Sequence, residues 1–158
     1  MNQENLQIEN ELLEEDTMNE RYLSFNIKDE KYSVEIRYVT EIIGIQKIAP
    51  IPNTSHYIEG IINLRGNIIP VVNVRARFGL DVIEYDDRTC IVVVGYDSNV
   101  IGLIVDSVSE VLIIKDANID NAPQTNKGAK SKFLNGVGKL DNGVSLILNL
   151  ESFLMDKS

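Results

Sequence analysis

The stretch "GIINLRGNIIPVVNV", residues 60–74, is the part of the sequence that decides the fold. Two β-branched runs flank a polar centre, a composition typical of paired strands. Gly66 and Asn67 tolerate positive φ, so we predict that the chain reverses direction there. Arg65 precedes this turn, and because a lone buried guanidinium is costly, we expect it at the rim of a sheet. Pro70, inside the second run, predicts an edge strand or a bulge.

The rest of the chain repeats this pattern of short strands separated by turn residues. Leu23, Phe25 and Ile27 alternate with polar residues, which is the period of a half-buried strand. Similar runs are "YSVEIRYVTEIIGI", "TCIVVVGYD", "VIGLIVDSVSEVLII" and "VSLILNL". We count at least eight strands, which predicts an all-β (mainly β) fold with a few short helices, in a sandwich or a small barrel.

The turns and helices are predicted from local residue types. We place hairpin turns at "DEK" (29–31), at Ser98–Asn99 and at Asn142–Gly143. Short helices are predicted at "VRARFG" and at "LESFLMDK". In "APIPNTSHYIEG" we expect a loop and one helical turn before Gly60, with Asn53 or Thr54 as its cap.

Length and charge narrow the function classes. The chain has 158 residues and a formal net charge of −9, which opposes binding to nucleic acid because that affinity comes largely from Lys and Arg. Residues 1–20 form an acidic stretch, interpreted as a flexible tail with a docked helix as the alternative, and order is expected to begin near Arg21. A single cysteine, no signal peptide and no membrane-length apolar run predict a cytoplasmic protein without direct membrane insertion.

The sequence offers little for catalysis. The one histidine, His56, lies in a turn-rich segment and is interpreted as a surface residue. Cys90 begins an apolar run and is a core candidate, and "EYDD" at 84–87 is interpreted as a solvated loop. We therefore predict a protein that is not an enzyme, with no cofactor and no metal site.

Several segments together carry a resemblance to a known family. "NTSHYIEGIINLRGNIIPVVNVRARFGL" closely resembles the signature of the CheW family, "RYLSFNIKDEKYSVEIRYVTEIIG" its opening strands, "VIGLIVDSVSEVLII" its G-x-x-V-D-x-V segment and "FLNGVGKLDNGVSLILNLESFL" its closing hairpin and helix. The resemblance covers residues 21–155, leaving 1–20 as a tail and 156–158 as a C-terminal end. It implies two small five-stranded SH3-like barrels packed together, with a groove between them.

The resemblance also implies a function and its residues. Members of the family are adaptors that couple the signalling tips of methyl-accepting chemotaxis receptors to the regulatory domain of the histidine kinase CheA, as monomers that assemble in membrane-associated receptor arrays. The implied receptor-binding groove comprises Ile36, Val39, Glu41, Gly60, Arg65 and Val105, with Glu41 and Arg65 forming an ion pair. Kinase contacts would lie around residues 82–85 and 136–143, without single residues being assigned.

Two other functions remain open at this point. A scaffold of a non-flagellar chemosensory pathway would use the same fold with a different receptor. A small-barrel nucleic-acid binder or hydrolase would need a basic aromatic face or a polar pocket, and the sequence displays neither clearly.

Overall fold

Strands dominate the computed structural model, which describes residues 19–121 and 132–155. The strands of this described part are β1 Arg21–Ile27, β2 Glu30–Glu35, β3 Val39–Gly44, β4 Ile58–Leu64, β5 Asn67–Asn73, β6 Cys90–Tyr96, β7 Asn99–Val105, β8 Ser107–Ile113, β9 Ile119–Asp120, β10 Leu134–Leu140 and β11 Gly143–Leu148. The helices are α1 Val74–Arg77 and α2 Leu150–Met155, with 3-10 segments at Ile36–Tyr38 and Asp116–Asn118. The predicted mainly β fold and both predicted helices are confirmed. The predictions for residues 1–18 and 156–158 lie outside the described residues.

The strands form two sheets, and the strands of one sheet lie between strands of the other in the sequence. One sheet has the order β8-β1-β2-β11-β10-β9, and the other has the order β3-β6-β7-β5-β4. The chain therefore starts in the first sheet, builds the whole of the second, and returns at β8 to complete the first. The first sheet has six strands rather than the expected five because the two-residue β9 pairs with β10.

Three apolar clusters hold these sheets, and the largest lies between them. This shared core takes Phe25 and Tyr32 from the six-stranded sheet and Val92 and Leu103 from the five-stranded sheet. The five-stranded sheet has an inner core around Ile62, Ile69, Val71, Ile91, Val93 and Ile104, and the six-stranded sheet has one around Tyr22, Ile114 and Ile147. Alternate residues of β6 thus face two different cores, which explains why "CIVVVGY" is apolar throughout rather than alternating.

Four hairpins turn about one residue earlier than the sequence predicts. The reversals occur at residues 28–29, at Arg65 and Gly66, at Asp97 and Ser98, and at residues 141–142. Arg65, Asp97 and Ser98 have φ of 52°, 49° and 67°. Positive φ at both central residues is the backbone of a type I′ hairpin turn, whose twist matches the flanking strands. Strand pairing, rather than the position of Gly or Asn alone, therefore sets the turn.

Two further predictions are wrong in the region of β4 and β5. No helical turn forms before Gly60. Instead, the segment crosses β4, where Ala49 exchanges two backbone hydrogen bonds of 2.9 Å with Ile61. Strand β5 is not an edge strand, because it pairs with β4 on one side and β7 on the other. The bulge predicted as the alternative does occur beside Pro70, but it lies in β4, between Ile58 and Gly60 opposite Val72 and Val71. Pro70 is tolerated because Ile61 opposite it bonds to Ala49 instead, and the pairing of β5 with β7 begins only at Val71.

Candidate functional site

The predicted site begins with the Arg65 hairpin, which ends β4. Asn63 stabilises the turn, since its side-chain oxygen accepts the Gly66 N–H at 2.8 Å. Arg65 is the first residue of the turn, with positive φ, and its side chain extends away from the hairpin. The turn thus aims the guanidinium towards β3, at the opposite edge of the same sheet.

Glu41 on β3 receives this guanidinium in a forked ion pair. Arg65 Nη1 donates to Glu41 Oε1 at 3.2 Å, and Nη2 donates to Oε2. The hydrogen bond and the charge of Glu41 raise the pKa of the Arg65 guanidinium. Because β3 and β4 are the two edge strands of the five-stranded sheet, the pair links the two edges of that sheet through side chains. The Arg65 side chain remains 70% exposed and that of Glu41 27%, so one side of the pair stays open to a partner.

The other predicted site residues occupy different environments. Ile36 begins the 3-10 segment before β3, and Val39 begins β3; both are half-buried and pack against the shared core. They share one continuous segment with Glu41, but a register shift places Val39 opposite Val94 of the shared core and Glu41 opposite Val93 of the inner core. The aliphatic side chains and the ion pair therefore lie along one strand edge but on different faces of β3. This edge, comprising Ile36, Val39, Glu41 and Arg65, is referred to below as the β3 edge.

Gly60 and Val105 do not present side chains to this surface. A Cβ at Gly60 would lie 2.1 Å from the Ala49 carbonyl oxygen, so glycine is needed there for the close crossing of the two chain segments. Val105 is only 1% exposed and belongs to the shared core, which corrects its prediction as a groove contact. The reason is register: Val105 pairs with Cys90 and faces inward at the end of β7.

Asp106, between β7 and β8, is the aspartate of the G-x-x-V-D-x-V segment, to which no role was predicted from the sequence. Its carboxylate accepts a forked pair of hydrogen bonds from Arg75 of α1, with Nε to Oδ1 at 2.8 Å, and accepts the Lys28 N–H at 2.7 Å. Burial alone would raise the pKa of the Asp106 carboxyl, but these hydrogen bonds outweigh it and leave that pKa below its usual value. One side chain therefore joins the β1–β2 turn to α1 at the point where the chain changes sheets.

Arg77 is a second important residue, and nothing in the sequence distinguishes it from the nearby arginine Arg75. It is buried, and its Nε and Nη2 donate to the Phe153 carbonyl oxygen at 3.1 and 3.0 Å. Its guanidinium carbon lies 4.1 Å from the ring centre of Tyr57 and 4.5 Å from that of Phe133. The residue thereby fixes α2 against the shared core through cation–π and hydrogen-bonding contacts.

The regions predicted for kinase contact carry apolar surface. Three exposed apolar side chains lie in the connection between α1 and β6: Val82, Ile83 and Tyr85. Arg75 Nη1 stabilises this connection by donating a hydrogen bond to the Asp81 carbonyl oxygen at 3.2 Å. The hairpin at residues 136–143 borders an open hollow of about 330 Å³ with Lys31 on its wall. A second hollow of about 410 Å³, which the sequence did not indicate, lies at the crossing of Ala49 and Ile61.

Among the described residues, no three His, Cys, Asp or Glu side chains lie together as a metal-binding group. His56 is exposed and stacks edge-on with Tyr57 at 5.6 Å. Cys90 is half-buried rather than fully inside, and its thiol donates to the Arg88 carbonyl oxygen at 3.2 Å.

The chain is similar in sequence to proteins of one family. The family model of the CheW-like domain matches residues 21–158. The chain is 32% identical over 139 residues to a chemotaxis protein CheW of Klebsiella aerogenes, covering 88% of this chain and 84% of that protein. It is 34% identical over 133 residues to the CheW of Thermotoga maritima, covering 84% and 85%.

A solved structure is similar in fold as well as in sequence. The crystal structure of the scaffolding protein TtCheW from Thermoanaerobacter tengcongensis superposes with a TM-score of 0.81 at 33% identity. The alignment covers 89% of this chain and 95% of that one.

Proposed function

Because this chain belongs to the CheW-like family of chemotaxis scaffold proteins, we propose that it couples chemoreceptor tips to the histidine kinase CheA. The relatives are named as chemotaxis and scaffolding proteins, and the chain is accordingly a scaffold rather than an enzyme. Coupling of this kind requires two separate binding surfaces on one rigid body.

The β3 edge is the proposed receptor surface, and its mixture of groups is the observation that carries the proposal. Ile36 and Val39 offer aliphatic contact along the same strand edge as the exposed guanidinium of Arg65, whose direction is fixed by Glu41. A helix docks on such a surface by placing apolar side chains at helical spacing against the aliphatic groups. The unpaired edge of the Arg65 guanidinium is then available to a carbonyl or carboxylate of the receptor.

The proposed kinase surface comprises residues 82–85 and the hairpin at 136–143. Exposed Val82, Ile83 and Tyr85 provide apolar contact, which is enriched at the centres of protein interfaces. The hollow beside the hairpin offers space for a protruding loop of a partner. Both regions lie outside the β3 edge, so one chain can hold both partners together.

Recruitment to a membrane is proposed to occur through the receptor. Within the described residues, no helix is long and apolar enough to cross a bilayer. A chain bound at the receptor tip would reach the membrane-associated array as part of the assembly.

Titration calorimetry with a receptor signalling fragment and a kinase regulatory domain tests this function. We expect the double variant Ile36→Ser/Val39→Ser to lose receptor binding and to retain kinase binding, and Val82→Ser/Ile83→Ser to do the reverse. Val100→Ser, at an exposed position of β7, is the matched control. Circular dichroism spectra establish that each variant is folded. If the folded wild-type chain binds neither partner, the proposal is wrong.

A further inference from the structure

The proposed kinase surface has two halves that belong to different sheets. Val82 and Ile83 lie in the connection that leads from α1 into the five-stranded sheet, and both are exposed. The other half is the hairpin at 136–143 of the six-stranded sheet, and its hollow is bordered by Asp29 of the β1–β2 turn. A partner that contacts both halves at once therefore depends on the position of the connection relative to the β1–β2 turn.

Arg75 and Asp106 join these two segments through hydrogen bonds. The Asp106 carboxylate accepts Nε and Nη2 of Arg75, and it accepts the Lys28 N–H of the β1–β2 turn at 2.7 Å. The remaining nitrogen of the guanidinium, Nη1, donates to the Asp81 carbonyl oxygen at 3.2 Å, next to Val82 in the chain. All three nitrogens of one guanidinium are thus used, two on the carboxylate and one on the connection.

The inner side of the connection packs against this pair. Ile83 and Tyr85 line a small cavity of about 10 Å³ together with Arg75 and Asp106. The pair is largely shielded from water, and hydrogen bonds in such surroundings are stronger than those of an exposed pair. The contacts of Arg75 therefore fix the connection from beneath, while its aliphatic side chains remain exposed on the outside.

The far end of the connection is held on the five-stranded sheet. The Tyr85 side chain hydrogen-bonds to Glu59 of β4 and Asn73 of β5, and burial together with the charge of Glu59 raises the pKa of the Tyr85 hydroxyl. The two exposed aliphatic residues therefore lie between this contact and the Asp81 carbonyl oxygen. Loss of the Arg75 contact would release the part of the connection that carries them.

We propose that Arg75 and Asp106 are positioning residues for kinase binding, which hold the two halves of the kinase surface in the arrangement that CheA requires. The role in kinase binding rests on the proposed function, whereas the link between the two segments does not. Without the link, the connection has to be ordered when the kinase binds. Because ordering of interface side chains lowers affinity, we expect about three- to tenfold weaker kinase binding and unchanged receptor binding.

Amide NMR spectra of the full chain test the link in the absence of any partner. Arg75→Lys keeps the charge, but an ammonium group lacks the planar fork that reaches the carboxylate and the Asp81 carbonyl oxygen together. We expect the amide signals of Lys28 and Val82 to shift in this variant. Ile91→Val, in the inner core of the five-stranded sheet, is a destabilising control away from the link and should leave both signals in place. An unshifted signal of either residue in Arg75→Lys would overturn the link.

Calorimetric titrations of the same two variants test the positioning. Weaker binding of the kinase regulatory domain by Arg75→Lys, with unchanged receptor binding and with Ile91→Val equal to wild type in both titrations, supports the proposal. Equal losses of kinase affinity in the two variants would assign the effect to stability and overturn it. Unchanged kinase affinity in Arg75→Lys despite shifted amide signals would also overturn it. If the wild-type chain binds no kinase while the amide signals shift as expected, the link stands and the proposed function is contradicted instead.

Discussion

Arg65–Glu41 and Arg75–Asp106 are both forked ion pairs, but they lie in different surroundings. The Arg65 side chain is 70% exposed between the two edge strands of the five-stranded sheet, whereas that of Arg75 is 12% exposed where the chain passes from one sheet to the other. Asp106 also accepts the Lys28 N–H, so its removal would leave donors on two elements without an acceptor. The comparison indicates that an exposed pair can serve a partner, while a pair shielded from water mainly orients the fold.

The largest expected effect comes from Asp106→Asn, which keeps the shape but removes the charge. The guanidinium of Arg75 would lose its counter-ion at a site with little water, so we expect a loss of about 2–3 kcal/mol in the free energy of unfolding. Urea denaturation measures this change. The matched variant Glu41→Gln, in the exposed pair, should leave the urea midpoint close to that of wild type. Equal losses in the two variants would remove the distinction between the pairs.

The next effect concerns binding. We expect Arg65→Ala to weaken receptor binding about tenfold, about 1.4 kcal/mol of binding free energy, while its urea midpoint stays near the wild-type value. Calorimetric titration with a receptor fragment gives the affinity. Arg88→Ala, which removes another exposed guanidinium, is the control and should bind normally. A large loss of stability in Arg65→Ala would assign Arg65 to the fold instead.

A smaller effect is expected when lysine replaces each arginine. Lysine keeps the charge but cannot reproduce two parallel hydrogen bonds, so Arg75→Lys should lower the free energy of unfolding by about 1 kcal/mol. Arg65→Lys should leave the urea midpoint unchanged, since water surrounds that pair. Identical midpoints for Arg75→Lys and wild type would contradict a geometric role for the fork.

The smallest effect is the pH dependence of stability. The folded-state pKa of Asp106 lies below its unfolded value of about 3.9, so its contribution is fully present above that value and is lost as pH falls through the folded pKa. We therefore expect the stability difference between wild type and Asp106→Asn to be constant above about pH 5 and to narrow below about pH 4. Urea denaturation at pH values from 7 to 3 measures this difference. Stability that changes in parallel with pH in the two proteins would contradict the lowered pKa of Asp106.

For Val105 and the hairpin turns, the structure differs from what was predicted from the sequence. Strand existence was predictable because β-branched runs and turn residues are local signals. Turn positions differed by about one residue because cross-strand register, which depends on residues far along the chain, sets them. Val105 was placed in the groove by the family resemblance alone, which does not reveal that this side chain faces the core shared by the two sheets.

The sequence by itself determined the mainly β fold, the rim position of Arg65 and the scarcity of catalytic groups, since these follow from residue type and short spacing. The family resemblance already implied the Glu41–Arg65 pair, whereas tertiary structure alone decided that Gly60 accommodates the Ala49 segment and that Asp106 joins the β1–β2 turn to α1. The physical reason is that these contacts join residues brought together only when the chain leaves one sheet, completes the other and returns. Local sequence patterns do not predict these contacts, because each contact depends on strand pairing between segments that are distant in the sequence.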